Sequence, residues 1–219
     1  MPILPIDTGR YGTPEMKAIF EEESRLQRML DVEAALAWAH AEVGDIPRKD
    51  AQAIIDAATI KHVKLSRVKE IEARIKHDVT SIARALSEAA GSSGAYVHLG
   101  ATSQDINDTA TALQLKEATG LVHAKLNVLE KTLMEKAQRY KRAIMIGRTH
   151  GQHALPITLG FKFAIWLREV SRHIQRLQQC RERLLVGKMS GAVGTQAGLG
   201  SNAPRIQALV MQKLGLGTA

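Results

Sequence analysis

Two imidazoles, an amide and two hydroxyls crowd into the stretch Thr149-His150-Gly151-Gln152-His153-Ala154-Leu155-Pro156-Ile157-Thr158. Imidazole titrates near neutrality, so a ring set beside groups that bind oxyanions can hold or deliver a proton on a substrate bearing carboxylate or phosphate. Glycine and proline keep a helix from running through the stretch, and its polar groups are expected to be presented rather than sequestered. Three further clusters have the same character: Arg10-Tyr11, Lys76-His77-Asp78 and His98-Leu99-Gly100-Ala101-Thr102-Ser103-Gln104-Asp105. Taken singly, each also reads as caps and turn residues. The triplet at 76–78 lies between Ile71/Ile75 and Val79/Ile82/Leu86. It either holds the imidazole against its own carboxylate or offers both to a ligand.

Other chemistries fit less well. His150 and His153 have no His-Glu-x-x-His pattern and no cysteine pair to complete a zinc site, so no metal and no cofactor is expected. No Gly-x-Ser-x-Gly elbow marks a nucleophile. The glycine-rich run Gly187-Lys188-Met189-Ser190-Gly191-Ala192-Val193-Gly194-Thr195-Gln196-Ala197-Gly198-Leu199-Gly200 is not a P-loop, because its lysine precedes the glycines, and no strand leads into it for a dinucleotide fold. Such a run is expected to be a mobile loop or a point of close backbone approach. His40, His62, His123 and His173 read as packing or surface residues, as does the single cysteine, Cys180.

The elements that must position these clusters read as helices. Thr13-Pro14 predicts a helix start, with a break near Glu22 or Glu23. A longer helix follows with Leu26, Leu30, Ala34, Ala37 and Ala41 on one stripe, ending at Gly44 and Pro47. Shorter helices are expected over about 50–58, 66–76 (capped by Ser66) and 79–90, then a loop at Gly91-Ser92-Ser93-Gly94. A long helix, capped near Asp105 or Asn107, runs to about Tyr140 with Leu115, Thr119, Val122, Leu126, Leu129 and Leu133 as its seam. At 1.5 Å per residue it spans roughly 50 Å, which implies a bundle. Ala143 to Gly147 is extended or buried. A second long helix over about 160–186 carries Phe163, Leu167, Val170, Ile174, Leu177 and Leu184, with Arg181 intruding where the stripe leaves the core or meets a polar layer. A last helix, introduced by Pro204, covers Ala203 to Leu214. Two long helices cannot close a bundle core, so partners or further residues are required.

Composition agrees with an all-α chain. Apolar residues make up 45% and charged ones 24% of 219 residues, while aromatics are only 4%, which favours close-packed helices over a sandwich or barrel. The formal charge of +8 suits an anionic partner. The basic residues are interspersed with acidic ones and lack aromatic interleaving, so nucleic acid is not expected. No apolar run is long enough for a membrane span and the N-terminus lacks a signal pattern, which predicts a soluble cytoplasmic protein.

Taken together, Lys76-His77-Asp78-Val79, His98 to Thr109, Arg148 to Gly160 and Gly187 to Thr195, in this order and with Arg10-Tyr11 ahead of them, resemble the fumarase/aspartase superfamily, and within it the branch that acts on adenylosuccinate. The resemblance implies an elimination that releases fumarate from adenylosuccinate, leaving AMP, and from the succinyl-carboxamide ribotide of purine synthesis. It places the general acid at His150, assisted by His77. It assigns substrate binding to Arg10, Tyr11, Lys76, Asp78, Thr102 and Ser103, with His98 and Gln152 beside the anionic groups. It also implies a homotetramer with a twenty-helix core and sites drawn from three subunits. In it, residues 1–94 form an N-terminal helical domain and 95–219 the first part of a central long-helix domain. The resemblance further implies a signature loop with a Ser-Ser, Met-Pro and Lys-x-Asn-Pro pattern, whose serine is the base. No such pattern occurs in residues 1–219, so this chain alone is expected to bind substrate but turn it over poorly.

Overall fold

The computed structural model describes residues 11–219. They form eight α-helices and two short two-stranded ribbons, the helical architecture that composition and periodicity predict.

Contacts group the described residues into two compact units. One runs to Glu117 and resumes from Leu184 to Ala219; the other is Ala118–Arg183. The division falls inside a helix.

The first unit is built on α2 (Glu22–Val43). Before it, α1 (Pro14–Phe20) begins where Thr13 Oγ1 accepts the Met16 N–H and Pro14 opens the first turn. Glu21, with extended backbone, separates the two helices. Leu26, Met29, Leu30, Val32, Leu36, Ala37 and Ala41 of α2 are buried, and the helix stops at Gly44, whose φ of 86° lets its N–H turn back to the carbonyls of His40 and Ala41. Against α2 pack α3 (Arg48–Ala57) and α8 (Ala203–Leu214), with α4 (Leu65–Ile75) and α5 (Asp78–Ala89) completing the layer. Fully buried Leu30, Leu36, Ile54 and Leu86 lie at the centre, each contributing about 1.5–3 kcal/mol by leaving water.

Three local expectations are corrected. Ser66 does not cap α4; the helix begins one residue earlier, after Lys64, with no side-chain cap. Gly91 to Gly94 is not an open loop but part of a 3-10 turn, Gly91–Tyr96. There Gly94 lies so close to Ser87 that a Cβ would strike its carbonyl. The long helix α6 (Ser103–Arg139) begins before Asp105. Asp105 reaches back from inside the first turn to accept the Thr102 N–H at 3.0 Å, the reciprocal half of a capping box.

The second unit holds the rest of α6, an antiparallel hairpin of β1 (Ile144–Thr149) and β2 (Gln152–Thr158), and α7 (Leu159–Leu184). Leu133 and Ile174 are buried, and Phe163, Leu167, Val170 and Leu177 are half-buried along the predicted stripe. Arg181 does meet a polar layer, donating to Thr119 Oγ1 at 3.0 Å. After α7 the chain returns to the first unit through β3 (Val186–Gly187), parallel to β4 (Gly217–Thr218).

Candidate functional site

Polar groups sit where the backbone is locally strained. Among the described residues the non-glycine positions with positive φ are Lys76, His98, His150 and Gln196. A side chain in this region costs roughly 1–2 kcal/mol. The first three each belong to a cluster picked out by residue type, and such strain gathers at functional sites.

In the first unit, Lys76 at φ 57° ends α4, and the chain turns at once into α5. His77 is the N-cap of α5: its Nδ1 accepts the Thr80 N–H at 3.3 Å. The same nitrogen lies 3.5 Å from Asp78 Oδ1. It cannot accept from Thr80 and donate to Asp78 at once, so the capping form carries its proton on Nε2. Both side chains are about half exposed, which leaves Nε2–H available as a donor. The backbone of α5 thus engages the imidazole, the Asp78 carboxylate stands beside it, and both side chains stay open to solvent.

The second cluster surrounds the start of α6. His98, at φ 63°, places Nδ1 2.6 Å from Glu33 Oε1, and the Glu33 side chain is 1% exposed. Burial alone would push the ring towards its neutral form. The hydrogen bond that Glu33 accepts from the ring and the charges of Glu33 and Asp105 outweigh this and raise its pKa above the ordinary imidazole value. Next along, the hydroxyls of Thr102 and Ser103 make no hydrogen bond among the described residues, at a helix N-terminus suited to anions.

Asp105 is fully buried and has a different task. Besides the Thr102 N–H, it accepts the N–H groups of Ser190 at 3.0 Å and Gly191 at 2.9 Å. The glycine-rich segment is therefore fastened to the head of α6. Gln196 donates to the Met189 carbonyl, and Gly100 packs so tightly on Gly198 that a Cβ would strike its carbonyl. Of the two expectations for this run, close backbone approach is the observed one. Gly100, Ala101, Gly191, Ala192, Val193 and Thr195 line a shallow depression between the two backbones.

In the second unit, His150 and Gly151 form a two-residue turn between the paired Thr149 and Gln152. Their φ values of 52° and 73° belong to the primed turn that matches strand twist. His150, Gln152 and His153 are exposed and make no side-chain hydrogen bond among the described residues, as expected of presented groups.

Tyr11 is 56% exposed ahead of α1, while Arg10 lies outside the described residues. Motif and spacing do not single out Glu33; its sequence signal is a carboxylate inside the apolar run of α2, the same kind of intrusion that marks Arg181 in α7. His40 is buried, as a packing residue would be, and also bonded through both ring nitrogens, to Asp45 and to the Leu99 carbonyl.

Residues 9–219 match the profile of a family described as lyase. The chain belongs to this lyase family. It is similar to the adenylosuccinate lyase of Pyrococcus abyssi, 56% identical over 216 residues, and to that of Methanocaldococcus jannaschii, 48% identical over 217 residues. Each match takes in 99% of this chain and 48% or 47% of the relative, so the chain spans about half the length of these relatives. Among solved structures, the 3-carboxy-cis,cis-muconate lactonizing enzyme of Pseudomonas putida superposes with a TM-score of 0.90 at 39% identity. That superposition covers 96% of this chain and 49% of the other. Lyase-family membership agrees with the superfamily resemblance carried by the motifs, and the helical fold is shared with this solved structure.

Proposed function

We propose that the protein of which this chain forms part is an adenylosuccinate lyase, a carbon-nitrogen lyase of purine biosynthesis. On this reading a base takes a proton from the succinyl β-carbon, and the neighbouring carboxylate stabilises the carbanion. The C–N bond then breaks, fumarate leaves and an imidazole protonates the departing nitrogen. The same steps serve the succinyl-carboxamide ribotide. His150 is the proposed acid, assisted by His77. Tyr11, Lys76, Asp78, Thr102 and Ser103, together with Arg10, are proposed to bind the substrate, with His98 and Gln152 beside its anionic groups.

The observation that supports this most directly is the coincidence of positive-φ backbone with presented imidazoles at His98 and His150. A scaffold carries such strain where a side chain must be aimed. The substrate class is suggested by the adenylosuccinate lyases at 48–56% identity. A relative named N-acetyl-S-(2-succino)cysteine lyase, from Dickeya dadantii, is 41% identical over 210 residues. This makes a succinylated thioether the second substrate to try.

The reading also includes a homotetramer in the cytoplasm, with an N-terminal helical domain over 1–94 and a central domain beginning at 95. No helix among the described residues is long and apolar enough to cross a membrane. The experiment is a fumarate-release assay on the full-length protein with adenylosuccinate, the ribotide and the succinocysteine compound. Wild type is expected to prefer the purine substrates, and His150→Ala to lower kcat by about 10²–10⁴-fold. Turnover by His150→Ala within a few-fold of wild type removes the acid assignment. Full activity from residues 1–219 alone removes the proposed serine base.

A further inference from the structure

Behind His98 runs α2, and the inference drawn from it rests on the ligand-binding role proposed for that histidine. Glu33 is 2% exposed at the middle of α2. Its Oε1 meets His98 Nδ1 at 2.6 Å, while its Oε2 is buried with no hydrogen-bond partner. A buried carboxylate with half its capacity unused is costly, and the bond it does make is to a ring that leads outwards. The His98 side chain is 23% exposed, and its Nε2 makes no hydrogen bond among the described residues. Two helical turns along α2, His40 Nε2 lies 3.0 Å from the carbonyl of Leu99, so the residue after His98 is anchored by the same helix.

We propose that Glu33 is a positioning residue whose buried carboxylate takes the Nδ1–H of His98, leaving Nε2–H turned outwards as a donor to a phosphate or carboxylate oxygen of the ligand. The charged groups around the ring, both carboxylates, fit this role. Glu33 faces it from α2 and Asp105 from α6, and both favour the charged imidazolium against the effect of burial. A ring charged in this way donates from both nitrogens. A neutral ring with its proton fixed on Nδ1 offers only a lone pair at Nε2, which repels an anion.

The discriminating variant is Glu33→Gln in the full-length protein. The amide oxygen still accepts Nδ1–H, so the shape is kept and the charge is lost. KM for adenylosuccinate is expected to rise about tenfold with kcat little changed at a pH between the ring's titration midpoints in the two proteins, and to return to the wild-type value below both midpoints, where the ring is protonated in each. Inhibition by AMP and by fumarate identifies the group contacted: AMP weakens if it is the phosphate, fumarate if it is a carboxylate. Midpoints that coincide in the two proteins, a KM unchanged between them, a rise that does not close below both, or no weakening of either inhibitor overturns the proposal.

Two measurements need no substrate and stand whether or not adenylosuccinate is turned over. In the wild type, the NMR titration of the His98 ring is expected above about 6.5, the ordinary value; titration at or below it overturns the proposal even if Glu33→Gln fails to fold. Stability follows the same sign, because the folded chain binds this proton more tightly than the unfolded one. The contribution is full below about pH 6.5 and is lost as pH rises through the raised pKa. Glu33→Gln is expected to flatten that slope. Absence of turnover by wild type, with the ring still titrating high, overturns the substrate reading and leaves the Glu33 contact standing.

Discussion

Asp105 and Glu33 are two buried carboxylates on either side of the same turn, and their surroundings give them opposite tasks. Asp105 accepts three backbone N–H groups, from Thr102, Ser190 and Gly191, so its charge is fully used in joining the head of α6 to the glycine-rich segment. Asp105→Ala leaves those donors without their acceptor, at about 1–3 kcal/mol for each that water cannot reach. The expected outcome is a loss of roughly 3–5 kcal/mol in denaturant unfolding, with the segment 187–200 open to proteolysis. A loss under about 1 kcal/mol with the segment still protected would show that the clamp is not what orders it. A sequence reading finds Asp105 as a helix-start residue because caps are local. The partners at 190 and 191 are out of its reach, since they follow from tertiary packing. Glu33 is harder still: one charge in an apolar run looks like a flaw in the stripe until its partner, some sixty residues on, is seen beside it.

At the scale of elements, the chain is legible wherever period and punctuation agree. The break between α1 and α2, the ends at Gly44 and Arg139, and Pro204 at the start of α8 all follow from residues within one turn of the boundary. The hairpin is less so. Ala143 to Gly147 shows only that it is not a helix, and pairing with 152–158 depends on a turn that lacks the usual Asn-Gly. His150 takes the first left-handed position instead, and Gly151 the second. A residue with an imidazole to present thus also forms the turn that presents it. Nothing lies within 4 Å of a Cβ added at Gly151, so Gly151→Ala costs conformational energy alone, about 1–2 kcal/mol. Amide exchange at Thr149 and Gln152 should quicken by about tenfold or more, while α2 and α5 keep their protection. Unchanged exchange at Thr149 would mean that flanking strand contacts, not the turn, set the register.

For the whole molecule, the deciding contrast is between the two units. The first has a closed apolar core around α2. In the second, Ile165 is 51%, Leu155 78% and Ile144 83% exposed, alongside half-exposed Phe161 and Trp166, and two long helices cannot shield such surfaces by themselves. Assembly of the full-length protein through these faces, as the proposed homotetramer, is the expected remedy. It also has a functional sense, since a subunit that must assemble to bury α7 can bring the His150 hairpin to a neighbour's ligand. Ile165→Glu on α7 places a charge in that seam, where desolvating it is expensive. Light scattering of the full-length variant is expected to show a smaller species than wild type and fumarate release to fall at least tenfold, while the first unit unfolds at its usual temperature. A variant that stays tetrameric and active at the wild-type rate would place this face outside the assembly, and the hairpin would then have to act within its own subunit.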